Sequence, residues 1–212
     1  MICSPSFLSS DFSKLESEIK SINKARWLHF DVMDGKFVKN KTYNHMMLKA
    51  VSKYSQQVFD THLMIEEPEK HFLKYANNGA DIITFHLEAT NNPQELIKKI
   101  KDENVMAGIS IKPDTSPEEL DPYLSQLDLI LIMSVEPGKG GQDFIPSSLK
   151  KIKYFSPPLP SPPSPSFLSF SFFLPFSPSP FLPPSFFSLL FFFSFLFPSP
   201  HLPSLLSSLS PV

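Results

Sequence analysis

Apolar residues in the first 154 positions gather into short dense runs separated by amphipathic stretches. Six runs read as strands, at 2–5, 27–31, 58–64, 82–86, 106–111 and 129–133. The last, LILIM, is continuously apolar, as a strand covered on both faces should be. Between the runs the spacing turns helical. Leu15, Ile19 and Ile22 recur behind Ser10 and Asp11, either of which can cap a helix. Further helices are predicted over 44–53, over 68–77 (opened by Pro68 and ended by Gly79), over 93–103, and from Ser116-Pro117 onward. A strand followed by a helix, repeated, implies a parallel α/β sheet with right-handed crossovers. Both an open doubly wound sheet and a closed eight-unit barrel can begin this way. Ser6, Asp31, His62, His86, Lys112 and Glu136 all fall at or just beyond the carboxyl ends of successive predicted strands, which favours the barrel. No nucleotide-binding glycine fingerprint follows the first strand, where an open dinucleotide-binding sheet needs one.

The pattern stops at Tyr154. Residues 1–154 carry every Lys, Arg, Asp and Glu, whereas 155–212 contain only Phe, Ser, Pro and Leu apart from His201 and Val212. Fifteen of those 58 residues are proline, which blocks helix interiors and central strands alike. Residues 1–154 are therefore expected to form a partial β/α barrel, and 155–212 a disordered low-complexity tail rather than a folded domain. The tail's longest apolar run, Phe186 to Phe197, has 12 residues between prolines, short of the roughly 20 that span a bilayer. Phe, Ser, Pro and Leu are the four residues whose codons carry pyrimidines at the first two positions. A translated pyrimidine-rich tract would give such a tail, so the gene product is expected to diverge from this chain near Tyr154.

Net charge of -2 and a pI near 6.3 exclude the basic footprint of nucleic-acid or anionic-membrane binding. The single cysteine, Cys3, cannot pair internally and suits a reducing cytoplasm. The start, Met-Ile-Cys-Ser-Pro, has neither the basic nor the long apolar part of a secretory signal.

The candidate chemistry begins in LHFDVMDGKFVKN, 28–40. On a strand, His29 and Asp31 project from the same face, where they can hold a divalent metal, and the carboxylate can also move a proton. A lone His-x-Asp is more often a hydrogen-bonded core pair. His62, near the end of the next predicted strand, changes that balance, because adjacent barrel strands bring all three groups to one metal. Met33, Met64 and Met133 sit close to the same strand ends and would give an apolar lining. PGKGGQDF, 137–144, has closely spaced glycines whose N–H groups can approach an anion, so Gly138, Lys139, Gly140 and Gly141 form a candidate phosphate cradle or lid.

Taken in order, PSFLSSDF, LHFDVMDGKFVKN, DTHLMIEEP, TFHLEAT, GISIKPDT and MSVEPGKGGQDF resemble the ribulose-phosphate 3-epimerase family across essentially all of 1–154. The resemblance implies a TIM (β/α)8 barrel and one divalent metal ion (Zn, Fe, Mn or Co). It also implies a cytoplasmic isomerase of the pentose phosphate pathway that interconverts D-ribulose 5-phosphate and D-xylulose 5-phosphate at the third carbon. Carried over by residue, His29, Asp31 and His62 match metal ligands, and Asp31 also matches one of two acid/base aspartates. Ser6, His29, His62 and 138–141 match substrate contacts, and Met33, Met64 and Met133 the methionine lining. The family's second aspartate lies in a Val-Asp-Gly-Gly type motif on the seventh strand, and further glycine turns hold the phosphate; this sequence has neither. The expectation is thus a barrel truncated after about six units, with its first and sixth strands as open edges and no activity as written. Lys39, Asn44 and Lys139 are smaller departures from the family pattern. The expected partner is a phosphorylated ketopentose, with self-association left open. A related reading is an allulose-6-phosphate 3-epimerase. One of another class is a non-catalytic remnant held at a membrane or partner by its tail.

Overall fold

The structure is a computed structural model that describes residues 2–156, 167–170 and 191–195. Strands β1 (Ile2–Pro5), β2 (Trp27–Met33), β3 (Val58–Met64), β4 (Ile82–His86), β5 (Met106–Ile111) and β6 (Leu129–Ile132) alternate with helices α1 (Leu15–Ser21), α2 (His45–Val51), α3 (Phe72–Ala76), α4 (Pro93–Asp102) and α5 (Ser148–Phe155). β2 to β6 pair in sequence order and in parallel. β1 meets β2 through a single parallel bridge, Ser6 to His29, with the Phe7 N–H donating to the His29 carbonyl at 2.9 Å. Past that bridge β2 takes its partners from a loop. The Thr42 hydroxyl donates to the Asp31 carbonyl and accepts from the Met33 N–H, while the Tyr43 hydroxyl accepts from the Asp31 N–H. On the other side the β3 ladder continues through Val32–Leu63 and Met33–Met64, so β2 runs two residues beyond its predicted end.

The open edges expected at β1 and β6 are both paired. β7 (Phe167–Phe170) lies parallel to β6, and β8 (Phe191–Phe195) runs antiparallel to both β7 and β1. The other residues of the expected low-complexity tail, and with them most of the 186–197 run, lie outside the described residues.

Both faces of β2 are buried, yet they differ in kind. Leu28, Phe30 and Val32 face the helix layer and join a core that includes Ile19, Leu48, Phe59, Leu63, Phe85 and Ile109. Phe30 is its aromatic centre, with the rings of Phe7, Phe59 and Tyr43 at 5.7, 5.5 and 5.8 Å. Each such fully buried side chain contributes about 1.5–3 kcal/mol. Trp27, Ile82 and Leu129, with Val58 and Met106, pack as an apolar layer at the amino ends of the strands. Above that layer the inward face turns polar.

Register is held by a repeated device. Asp81 precedes β4 and accepts the Phe59 N–H at 2.7 Å, and Asp128 precedes β6 and accepts the Ala107 N–H at 2.9 Å. Each carboxylate satisfies a backbone donor on the preceding strand. The helix predicted after Ser116 forms as a 3-10 helix, Pro117–Gln126, behind a Ser116–Glu119 capping box. Pro122 inside it lacks an N–H and keeps it from becoming an α-helix. Asn44, one of the family departures, caps α2 by accepting the Met46 N–H at 2.9 Å.

Candidate active site and metal centre

β2 carries His-x-Asp on its inward face and β3 carries Asp-x-His. The parallel register sets His29 opposite Asp60 and Asp31 opposite His62. Each histidine therefore faces a carboxylate across the strands and another along its own strand. All four side chains are buried.

His29 Nδ1 lies 2.7 Å from Asp60 Oδ2, and its Nε2 lies 3.4 Å from Asp31 Oδ1. His62 Nδ1 approaches the same Asp31 oxygen at 3.5 Å. The ligand atoms of His29, Asp31 and His62 thus lie within 4.8 Å of one another, the one such His/Cys/Asp/Glu group among the described residues. The hydroxyl of Ser6 donates to the other Asp31 oxygen, Oδ2.

Burial opposes charge throughout, and the partners decide the outcome. Desolvation disfavours a charged His29, but the carboxylates of Asp60 and Asp31 overcome it and raise its pKa to about 10. Desolvation likewise opposes an ionised Asp31, but the charge of His29 beside it holds it well below the usual carboxylate range. His62 has no such surplus of negative charge, so burial lowers its pKa. Burial also takes His86 down to about 4.

The residues fit a divalent cation. Two imidazoles and a carboxylate from neighbouring strands converge, and His62 Nδ1 is a buried nitrogen with no hydrogen-bond partner. Asp60, on the far nitrogen of His29, is the carboxylate that commonly orients a metal-binding histidine. Such a donor set of imidazoles and carboxylate suits a divalent transition-metal ion.

Comparison with known proteins agrees with this geometry. Residues 2–159 match the family model described as the ribulose-phosphate 3 epimerase family. The chain belongs to that family. Relatives named ribulose-phosphate 3-epimerase include those of Schizosaccharomyces pombe, 39% identical over 162 residues, and Bacillus subtilis, 44% identical over 151 residues. These matches cover 74% and 70% of this chain and 71% and 70% of the relatives. The Mycobacterium tuberculosis relative, 44% identical over 155 residues, is covered for 66% of its length.

The other candidate positions lie at or just past strand ends and on the glycine loop. Met33 and Met64 pack together with Val38, Leu8 and Phe37, and Met133, just past the end of β6, is buried in a second apolar cluster that includes Leu131 and Val135. The glycine loop reaches across to the loop after β2, where the Gly138 carbonyl accepts from Asn40 Nδ2 at 2.7 Å. Gly138 has φ of +99°, and a Cβ there would sit 2.6 Å from Val38 Cβ, so only glycine fits. Gly140 and Gly141 line a cavity of about 830 Å³ together with Met33, Lys41, Tyr43 and Ser9. Lys139 is exposed on the same loop.

Sequence reasoning left Asp60, Tyr43 and Glu88 without a role. The reversed Asp-x-His order on β3 was the available signal for Asp60. Nothing local marks Tyr43. Glu88 accepts from the Lys112 N–H at 2.8 Å and from the Thr115 hydroxyl, tying the end of β4 to the loop after β5.

Proposed function

We propose that this site serves epimerisation of a phosphorylated ketopentose at its third carbon, between D-ribulose 5-phosphate and D-xylulose 5-phosphate. One observation carries the reading: His29, Asp31 and His62 converge in a chain of this family. The relatives' shared name supports the five-carbon substrate over the six-carbon one. Among the described residues no helix is long and apolar enough to cross a membrane, and nothing favours the anchored, non-catalytic reading.

His29, Asp31 and His62 would hold the cation. When bound, it supplies positive charge for the sugar oxygens as the proton beside the carbonyl leaves. Asp31 accepts that proton, being ionised and placed beside the ligand atoms. Ser6 steadies Asp31 and contacts substrate. Met33, Met64 and Met133 keep water from the reacting carbon, while Gly138, Lys139, Gly140 and Gly141 close over the phosphorylated sugar.

Inversion needs a second acid on the opposite face. The sequence has no Asp or Glu after Asp143. The chain as written is accordingly assigned half of the reaction: removal of the proton and its return to the same face. The test incubates the 212-residue chain with Co2+ and D-ribulose 5-phosphate, then separately with D-xylulose 5-phosphate, in deuterium oxide. Deuterium should enter at the third carbon of one epimer without conversion to the other. Sustained conversion would overturn the assignment of half a reaction, and absence of both exchange and metal binding would overturn the functional reading.

A further inference from the structure

His62 and His86 face each other with their Nε2 atoms 2.9 Å apart, and such a contact needs one N–H and one lone pair. The far side of His86 settles which ring provides each. His86 Nδ1 lies 3.3 Å from Glu88 Oε2, and an ionised carboxylate can only accept. Nδ1 therefore carries the proton of His86, and its Nε2 is left as an acceptor. His62 Nε2 must donate to it. A neutral imidazole with its proton on Nε2 has its lone pair on Nδ1, the buried, unpartnered atom that faces Asp31.

We propose that His86 and Glu88 are positioning residues that fix His62 in its Nε2–H tautomer and so aim its Nδ1 lone pair at the position between His29, Asp31 and His62. The inference rests on the reading of that trio as a metal site. The relay is built to stay in place. Glu88 is anchored by the Lys112 N–H and the Thr115 hydroxyl, so it cannot turn away from His86 without losing both. The Phe37 ring lies 4.9 Å from the His86 ring, and Lys112 Nζ sits 4.1 Å over that same Phe37 ring. His62 is thereby oriented through a histidine and a carboxylate, whereas His29 is oriented by Asp60 directly. Histidine ligands are commonly oriented by such partners, whose loss weakens metal binding about 10–100-fold.

The test uses the full chain, labelled with 15N-histidine, and Co2+ alone as the probe. In the metal-free wild type, long-range nitrogen–proton spectra should show His62 protonated on Nε2 and bare on Nδ1. His86→Leu fills much of the space but cannot accept, so it should raise the Kd for Co2+ about 10–100-fold and disturb the His62 tautomer. His86→Gln keeps an acceptor oxygen and should recover much of the affinity, which a merely space-filling role would not predict. A wild-type His62 with its proton on Nδ1 overturns the proposal, as does a folded His86→Leu chain whose Kd matches wild type. The wild-type tautomer is read directly, so a leucine variant that fails to fold leaves the test standing. A wild type that shows the Nε2–H tautomer yet binds no Co2+ overturns the metal reading and the purpose of the relay with it.

Discussion

The inward faces of β2 to β4 and of β6 are built on opposite principles. The first presents His29, Asp31, Asp60, His62, Thr84 and His86, all buried. The second presents Leu129 and Leu131, continued by Met133, packed with Trp27 and Ile82. On the polar side each ionisable group has a named partner, and the price of burying charge is met pair by pair. On the apolar side nothing solvates an ion. That contrast strengthens every electrostatic contact across the mouth, because a low-dielectric wall screens little. The same architecture thus separates function from stability. Damage to β2–β4 should appear in ligand binding and proton transfer, and damage to β6 in folding free energy.

Asp31 carries the largest share of the first kind. Asp31→Asn removes both the proposed base and the proposed anionic ligand while keeping the side chain's shape. Deuterium exchange into the sugar should fall about 10²–10⁴-fold, as expected for loss of a general base. Mass spectrometry of the recovered sugar phosphate reads this, and exchange at the wild-type rate would break the comparison at its strongest point. Asp60 comes next. It touches no ligand position except through His29 Nδ1. Asp60→Asn should weaken Co2+ binding about 10–100-fold with the ion still bound, measured by competition with a chromophoric chelator.

The apolar wall should respond in the other currency. Leu131→Ala empties space beside Met133 and Leu129 and should lower unfolding free energy by about 2–5 kcal/mol. Its Kd for Co2+ should stay at the wild-type value. A urea titration and a metal titration on the same preparation separate the two, and a matching loss in both would show that wall and metal site are one cooperative unit.

Much of this division is legible in the sequence. The predicted strand 58–64 matches β3, Val58–Met64, residue for residue. His29, Asp31 and His62 were singled out because ligand-type residues at strand ends are conspicuous. Their partners were not, since partnership depends on register. Only the pairing of His29 with Asp60 and of Asp31 with His62 turns two short motifs into a checkerboard. The end of β2 follows its ladder with β3, and its other edge is satisfied by Thr42 and Tyr43, 9 to 12 residues away, whose role no local pattern reveals.

The mildest effect is a pH dependence confined to the polar side. Burial works against an ionised Glu88, but its contacts with His86, Thr115 and the Lys112 N–H lower its pKa from the ordinary 4.5 to about 2. A depressed carboxyl pKa means that the folded state binds fewer protons than the unfolded one, so the stabilisation is complete above pH 4.5 and drains away as pH falls toward 2. Glu88→Gln removes that linkage. At pH 6 the variant should be less stable than wild type by on the order of 1–2 kcal/mol, the scale of one or two charge-assisted hydrogen bonds. The gap should narrow steadily between pH 4.5 and pH 2. Subtracting paired urea midpoints cancels the protonation of every other carboxylate. Leu131→Ala, treated the same way, should show a constant deficit at every pH, and a gap for Glu88→Gln that stayed constant would place Glu88 with the packing residues.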